Sequence, residues 1–525
     1  MHTCPETGIY ITMLCERGVS MELQVFRDTL SAAGSSFTVQ SEIPVETEIL
    51  ISDYLPQVFK IVKCFVKMVV LQKQLQPGRL TLDGYLRCVV YYQGENGQEL
   101  CQAEQKLPFT KPIELPNQDF SAWSAIIGGE TEYLNCRAVN QRRVEVRGAW
   151  SISASVFTQL PQEVITAVAD CGSQQKQTAL KGTRSVAALD KLITADSEFD
   201  FEQQPAAVLD ISGTAQVKEL KIISGKAVAK GEISAHAAYR TAGDDALKEQ
   251  KIILPFQQIL DIDGLAEDCR CFCTVEPTGF TILAASDAEN KNRLSASAML
   301  HLRVFRAFEI DAVSDLFSTQ FEMQAEKGEI CTETLEKEIT ENGMLEAQIL
   351  LPEETTGVMA CFASLAPLEV LTDGGKNLLR VRGVLTAFTK NSLGEIEASE
   401  KGAELMQPLP TAEAAENLHI ECWASVENME CTFSAGAAQV SAAIHLEGFA
   451  LVKHHEKCLT SASAGELLQP DDPDVALRIY YAHAGKQVFD IARRFHVSPN
   501  AMMRANGLSE ETLTAAGRLL VPGAG

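Results

Sequence analysis

The sequence predicts a mainly β protein: three tandem antiparallel modules of β-sandwich or barrel-like type, followed by a small domain in the order strand, helix, helix, strand. Two observations carry this prediction. An alternating strand pattern centred on Gly84 returns around Gly231 and Gly383, at spacings of 147 and 152 residues, and a helical pattern follows near the C-terminus. A chain of 525 residues with 46% hydrophobic residues is also long enough for three or four separate cores.

Each repeat carries the same markers in the same order. Apolar and polar residues alternate around the central glycine, which is the pattern of a half-buried strand. Turns of the kind that close hairpins follow at Asn96-Gly97, Gly243-Asp244 and Leu393-Gly394. A second marker, Leu107-Pro108-Phe109, returns 147 residues later as Leu254-Pro255-Phe256, and the third copy has the looser Pro408-Leu409-Pro410. Because two independent markers share one spacing, the sequence predicts three copies of one β-rich unit.

The repeats predict the domain boundaries. Residues 1–20 are interpreted as an extension, either non-native or disordered, because Met21 opens a more typical soluble start. The predicted modules and following segments are module 1 at residues 21–165, module 2 at 170–312, module 3 at 320–458, a linker at 459–475 and the C-terminal domain at 476–525. The linker prediction rests on a composition rich in Ser, Ala, Gly, Pro and Asp.

Composition and charge argue against several classes of function. The formal net charge of −25 disfavours nucleic-acid binding by the chain as a whole, although residues 476–525 carry a net charge of +3. The most apolar stretch, Val58 to Leu71, is interrupted by three lysines, so we expect no membrane span. The start lacks the pattern of a secretory signal, which predicts a cytoplasmic protein whose fifteen cysteines are reduced.

The sequence predicts a protein that is not an enzyme. It lacks the Gly-x-Ser-x-Gly elbow, the phosphate-binding loop and the His-Glu-x-x-His zinc helix. Cys269, Cys271 and Cys273 are spaced by two residues, which places them on one face of a strand, whereas zinc sites typically use Cys-x-x-Cys turns. We therefore interpret them as buried thiols and expect no catalytic residue, no metal site and no cofactor.

Residues 478–522 are the most specific segment of the sequence. A short strand is indicated by Ile479-Tyr480-Tyr481. A first helix is indicated by apolar residues at helical spacing, namely Val488, Ile491, Ala492 and Phe495. Ser498 begins a second helix that Gly507 ends, and the run from Leu519 to Pro522 supplies a closing strand. This order of elements and residues resembles the LysM domain.

The resemblance to LysM domains implies a binding groove. In that family two loops form a shallow groove for polymers that contain N-acetylglucosamine. Carried over by position, the partner- or glycan-binding groove consists of Gly485, Lys486, Gln487, Val488, Phe489, Asn506, Gly507 and Leu508. The run from Gly485 to Val488 stands where the family usually has Gly-Asp-Thr-Leu, and its added lysine suits a protein surface at least as well as a neutral glycan. Val488 has a second interpretation as a core residue, and Asn506 and Gly507 as a helix C-cap.

A second resemblance covers nearly the whole chain. The run from Ile51 to Val62 is similar to the opening of the SPOCS domain of SipL-type spore-coat morphogenetic proteins, and the order of domains agrees with that family. The resemblance implies a non-enzymatic scaffold, made in the mother-cell cytoplasm and located at the forespore surface or in the spore coat. Its LysM domain would dock on a coat morphogenetic ATPase, and its modules would contact other coat proteins. The alternative is a peptidoglycan-binding protein of the cell wall or cortex.

Overall fold

A computed structural model describes the protein over these residues: 9–11, 23–95, 99–223, 225–241, 247–283, 291–409, 411, 413–434, 436–469 and 477–523. The predicted turns at Asn96-Gly97 and Gly243-Asp244 lie outside them. At the third predicted turn, Leu393-Gly394, Gly394 is left-handed with a φ of 83°, a conformation that glycine adopts readily. The prediction of a mainly β protein is confirmed, since the described elements are almost all antiparallel strands.

Module 1 consists of two antiparallel sheets around one apolar core. Its strands are β1 (Ile9–Ile11), β2 (Leu23–Leu50), β3 (Val58–Gln76), β4 (Arg79–Gly94), β5 (Leu100–Glu114), β6 (Ala122–Asn140) and β7 (Arg143–Ala169). One sheet has the order β1-β2-β7-β6 and the other the order β3-β4-β5. Leu82 of β4 and Val146 of β7 belong to the shared core. Because successive side chains of a strand point to opposite faces, each sheet contributes every second residue.

Modules 2 and 3 repeat this arrangement, and each has its own core. The strands of module 2 are β8 (Ser173–Phe199), β9 (Pro205–Ile223), β10 (Lys226–Thr241), β11 (Lys248–Asp261), β12 (Arg270–Leu283) and β13 (Asn292–Ser318). The strands of module 3 are β14 (Phe321–Leu350), β15 (Thr355–Leu365), β16 (Glu369–Asp373), β17 (Lys376–Asn391), β18 (Ile396–Leu409), β19 (Leu418–Ser434) and β20 (Ala437–Leu467). The sheets are β12-β13-β8 with β11-β10-β9, and β14-β20-β19 with β15-β17-β18, where β16 also pairs with β17.

The C-terminal domain contains two strands and two short helices. They are β21 (Arg478–Ala482), α1 (Val488–Arg494), α2 (Pro499–Asn506) and β22 (Gly517–Val521). The two strands pair antiparallel, with Ile479 opposite Leu520. Ile491 of α1 and Met502 of α2 lie in one small core with residues of both strands. In the described part of the chain, no helix is long and apolar enough to cross a membrane.

In every module, the first and last strands extend beyond the sheets as a two-stranded ribbon. The third strand of each sheet ends earlier: β6 pairs with β7 only as far as Gln159, β12 with β13 as far as Phe305, and β19 with β20 as far as Val452. The remaining pairs define ribbon 1 (24–32 with 160–169), ribbon 2 (173–184 with 306–318) and ribbon 3 (321–333 with 453–467).

The three ribbons pack against one another through equivalent residues. One shared apolar cluster contains Leu30, Leu180 and Ile330, which lie 150 residues apart, together with Val164, Ala312 and Cys458 from the opposite strands. A second cluster joins residues of all three ribbons, including Val25, Val313 and Leu459. The modules therefore form one body around an approximate threefold axis, in which each ribbon buries the apolar face that it would otherwise expose.

The modules also meet at a cluster of buried charges. Arg303 of module 2 is 2% exposed, and its guanidinium donates to Asp190 Oδ1 at 3.0 Å and to Glu421 Oε2 of module 3 at 2.9 Å. Lys73 of module 1 forms an ion pair with the Asp190 carboxylate. Ser124 of module 1 donates to the Glu421 carboxylate. Buried charges require a partner of opposite charge. Here Asp190 and Glu421 each have a cation from a different module as a partner.

His419 lies beside this cluster and is stacked on Phe157 of module 1, with ring centroids 3.8 Å apart. Its ring nitrogens lie 3.5 Å from Glu333 and 3.4 Å from Glu421. Burial alone lowers the pKa of a histidine, but the two carboxylates outweigh burial and raise the pKa of His419 to about 9. Burial also opposes ionisation of Glu421, yet Arg303 and His419 lower its pKa to about 2. Both side chains are therefore charged at neutral pH.

The structure differs from several of the predicted boundaries. Residues 9–11 within the predicted extension form β1, which pairs with β2. Each module ends later than predicted, because β7, β13 and β20 continue to residues 169, 318 and 467. The first part of the predicted linker at 459–475 is thus the end of β20, and Leu459 is fully buried. The modules end later than predicted because the ribbon residues pack against neighbouring modules. The composition of one repeat does not reveal such contacts.

Replacing Arg303 with methionine should destabilise the body by about 3–5 kcal/mol, because the buried Glu421 carboxylate would lose its guanidinium partner and Asp190 would keep only Lys73 and His301. The measurement is the free energy of unfolding in urea. The control is Arg306→Met, which removes an exposed ion pair with Asp268 and should cost far less, because solvent screens exposed charges. Equal losses in the two variants would contradict a role for the buried cluster.

The stability of the body should fall as the pH rises from about 6.5 to about 9. The folded state keeps the proton of His419 in this window, whereas an unfolded histidine loses it near pH 6.5. The stabilisation is fully present below the unfolded pKa, and its loss at high pH amounts to about 3 kcal/mol. Urea unfolding across this pH range measures it, with His419→Gln as the control. If wild type and His419→Gln differed in stability by the same amount at every pH, His419 would not hold this proton.

Candidate functional site

The first predicted groove loop is held in place by backbone hydrogen bonds. Gly485 has a φ of 84°, and its N–H donates to the Leu513 carbonyl at 2.7 Å. The Leu513 N–H returns a hydrogen bond to the Lys486 carbonyl at 2.9 Å, and Gln487 forms a β-bridge with Thr512. The loop is therefore fixed by its own backbone, and the Lys486 side chain is exposed.

Two of the predicted groove residues are buried. Val488 is 1% exposed, and its N–H donates to the Glu511 carbonyl at 2.7 Å. Phe489 is 8% exposed and lies in the same apolar core as Val488. Val488 is therefore a core residue, in agreement with its second interpretation from the sequence.

The second predicted groove loop begins at the end of α2. The Asn506 amide donates to the carbonyls of Met502 and Leu520, both at 2.8 Å, and accepts from the Leu520 N–H at 2.6 Å. Asn506 therefore ties α2 to β22. Gly507 is the left-handed C-cap with a φ of 63°, and Leu508 is half-buried against the core. Both loops thus contain structural residues, and Gly485, Lys486 and Gly507 are the exposed members of the predicted set.

The C-terminal domain docks on ribbon 2. Phe317, near the end of β13, is 4% exposed because it enters the core of the C-terminal domain. Its ring contacts Phe489 edge to face, with centroids 5.1 Å apart. Arg493 of α1 forms an ion pair with Asp315 and donates to the Leu316 carbonyl at 3.0 Å. Apolar contact and charge pairing therefore act together at this interface.

Two further polar contacts extend the interface. The His496 Nδ1 lies 3.1 Å from the Ser318 carbonyl oxygen. The Lys176 ammonium, on the other strand of ribbon 2, donates to the Gln487 side-chain carbonyl. Gln487 and Phe489, both predicted groove residues, are therefore engaged by ribbon 2. Sequence reasoning missed this interface because the contacting residues are far apart in the chain, and the only local signal was the apolar Leu316-Phe317 pair at a strand end.

A second concave region lies where the modules meet. It is a cavity of about 1460 Å³, lined by residues of all three modules, including Trp123, Ile211 and Leu368. Within the described ranges, no three or more His, Cys, Asp or Glu side chains are grouped so that they could hold a metal ion.

At the start of β12, burial raises the pKa of the Cys271 thiol to about 11 and of the Cys273 thiol to about 12, so both are neutral thiols at pH 7.

Comparison with known families supports the resemblance to SipL-type proteins. Residues 57–138 and 206–282 match the family described as SipL, SPOCS domain. This connects the chain with sporulation. The first segment runs from the start of β3 into β6, and the second from β9 into β12, which are the equivalent strands of modules 1 and 2. No curated protein matches the chain. The SPOCS match links the protein to sporulation-related coat proteins.

Arg493→Glu should release the C-terminal domain from ribbon 2, because it places a second acid beside Asp315 and removes the hydrogen bond to the Leu316 carbonyl. Small-angle X-ray scattering of the full chain should then show a larger radius of gyration. The matched control is Arg504→Glu, the same change at an exposed position of α2, which should leave the radius unchanged. Identical scattering from wild type and Arg493→Glu would mean that this ion pair does not hold the domain.

Proposed function

We propose that this protein is a non-enzymatic spore-coat assembly scaffold. In this proposal it is built from three β-sandwich modules and a C-terminal LysM domain, and each module is longer than predicted by the length of its ribbon. The observation that carries the proposal is the SPOCS match at equivalent strands of two modules. A body of three fused modules offers a large, fixed and acidic surface on which several coat proteins can bind. Its place is the mother-cell side of the forespore surface or the coat itself.

The LysM domain is proposed as the adaptor that docks the scaffold on a coat morphogenetic ATPase. Three features support a protein partner over a glycan. Lys486 is the exposed cation of the predicted groove, and protein surfaces offer it carboxylates, which a neutral glycan lacks. Phe489, an aromatic side chain on which a sugar could stack, is already covered by Phe317. Val488 is buried in the core and offers a ligand no surface.

A second candidate function is peptidoglycan binding in the cell wall or cortex. It is favoured by the order of elements, strand, helix, helix, strand, with Gly485 and Gly507 exposed in the two loops where LysM domains bind sugars. Under this proposal Gln487 and Phe489 would have to leave ribbon 2 before a glycan chain could occupy the whole groove. Glycan binding would therefore be stronger in a variant whose domain is released from the ribbon.

The experiment compares binding of the full chain to a purified coat morphogenetic ATPase, to chitooligosaccharides and to insoluble peptidoglycan. We expect saturable binding to the ATPase, weakened about tenfold by Lys486→Glu, since a tenfold change corresponds to about 1.4 kcal/mol. The matched control is Lys251→Glu, the same change of charge at an exposed position of β11, which should bind as wild type does. Saturable glycan binding without ATPase binding would favour the second candidate and overturn the first.

A further inference from the structure

Two cysteine pairs occupy the same place in modules 1 and 3. Cys64 of β3 and Cys136 of β6 lie on the edge strands of the two sheets of module 1; these strands contact each other, and both side chains pack in the core of the module. Cys361 of β15 and Cys431 of β19 lie on the corresponding edge strands of module 3, which also contact each other. All four are free thiols.

The strand register shows that the two pairs are equivalent. Cys64 lies opposite Val90 and Cys361 lies opposite Ala387, each directly after two irregularities in the strand. Cys136 lies opposite Val146, and Cys431 lies opposite Val440.

Module 2 has isoleucines at both of these positions. Ile211 lies opposite Ala237 and Ile282 lies opposite Leu294, so the two correspond to the cysteines of the other modules. Both isoleucines pack against the core of module 2. An apolar pair therefore satisfies the packing at this position. The two thiols in modules 1 and 3 can also react, which packing alone does not require.

The two thiols of each pair differ in exposure and reactivity. Cys64 is 7% exposed, and the hydrogen bond to Cys136 together with burial raises its pKa. Cys136 is half-buried, and the hydrogen bond from Cys64, aided by Lys63, lowers its pKa. In module 3, Cys431 is exposed, and burial together with Cys431 raises the pKa of Cys361. In both modules the thiol on the strand equivalent to β6 is the accessible one.

We propose that Cys64 with Cys136, and Cys361 with Cys431, are sites of reversible disulfide formation by exchange with a low-molecular-weight disulfide. The Cys136 thiolate attacks one sulfur of the reagent, which forms a mixed disulfide and releases one reagent thiolate. Cys64 then gives up its proton and attacks the Cys136 sulfur, which releases the second reagent thiol. The protein loses two hydrogens for each bond formed, and the reagent is reduced to two thiols. Cys431 and Cys361 react in the same order.

The bonds would link the edge strands of the two sheets in modules 1 and 3, whereas module 2 would remain without a link at this position. Linking β3 to β6 closes a loop of more than seventy residues, which restricts the unfolded chain. Oxidation would therefore stabilise modules 1 and 3, and the folded arrangement would be kept because the linked edge strands already contact each other.

The test uses the full reduced chain incubated with oxidised glutathione. Remaining thiols are then alkylated, and linked peptides are identified by mass spectrometry. We expect linked peptides joining Cys64 to Cys136 and Cys361 to Cys431, while Cys269 and Cys273, which are buried, remain alkylated without a link. Alkylation of all four paired cysteines, or glutathione adducts on them without linked peptides, would overturn the proposal.

Single variants test the order of attack. In Cys64→Ala, Cys136 should accumulate as a glutathione adduct, because the second thiol is missing. In Cys136→Ala, Cys64 should take up glutathione at least tenfold more slowly, because it is buried and un-ionised. Equal uptake by the two variants would contradict the assigned roles.

Discussion

The buried ion pair between Arg303 and Glu421 is the constraint on which the arrangement of the body depends. Removing two charges from water is costly, and the cost is offset only when each charge keeps a partner with good geometry. Arg303 meets this condition through Asp190 on its own module and Glu421 on module 3, while Lys73 and Ser124 of module 1 complete the set. Moving module 3 away from module 2 would separate Arg303 from Glu421, and moving module 1 would separate Lys73 from Asp190. The charges therefore favour one placement of the three modules.

The charge cluster and the ribbons constrain the body in different ways. The ribbon contacts repeat at equivalent positions, as Leu30, Leu180 and Ile330 show, and such contacts alone do not distinguish one module from another. The charge cluster uses strands that are not equivalent: β3 from module 1, β13 from module 2 and β19 from module 3. Apolar packing therefore joins the ribbons at equivalent positions, whereas the charges specify which face of each module meets its neighbour. This division of roles is typical of interfaces in which polar groups fix register.

The sequence was sufficient to predict the mainly β class, because strand alternation and glycine turns are local patterns. It was not sufficient to predict contacts between modules. Arg303 stands between Leu302 and Val304, so alternation assigns it to the side facing away from the core of module 2. It is nevertheless buried, because residues of the neighbouring modules surround it. The same limit applies to the C-terminal domain: the helical stripe containing Val488 was visible in the sequence, but the partner of Phe489, Phe317, lies in another domain.

The docked position of the C-terminal domain determines how it can act as an adaptor. Asp315 pairs with Arg493 of that domain and also with Lys327 of ribbon 3 at 3.2 Å, so the domain is anchored where two ribbons meet. A partner that needs Phe489 must first displace Phe317, and its apparent affinity is reduced by the cost of that separation. A partner that contacts only Lys486 and Gly507 binds without this cost, and it is then held in a fixed orientation relative to all three modules. The second mode suits a scaffold, because it converts binding by one small domain into defined placement of a large body.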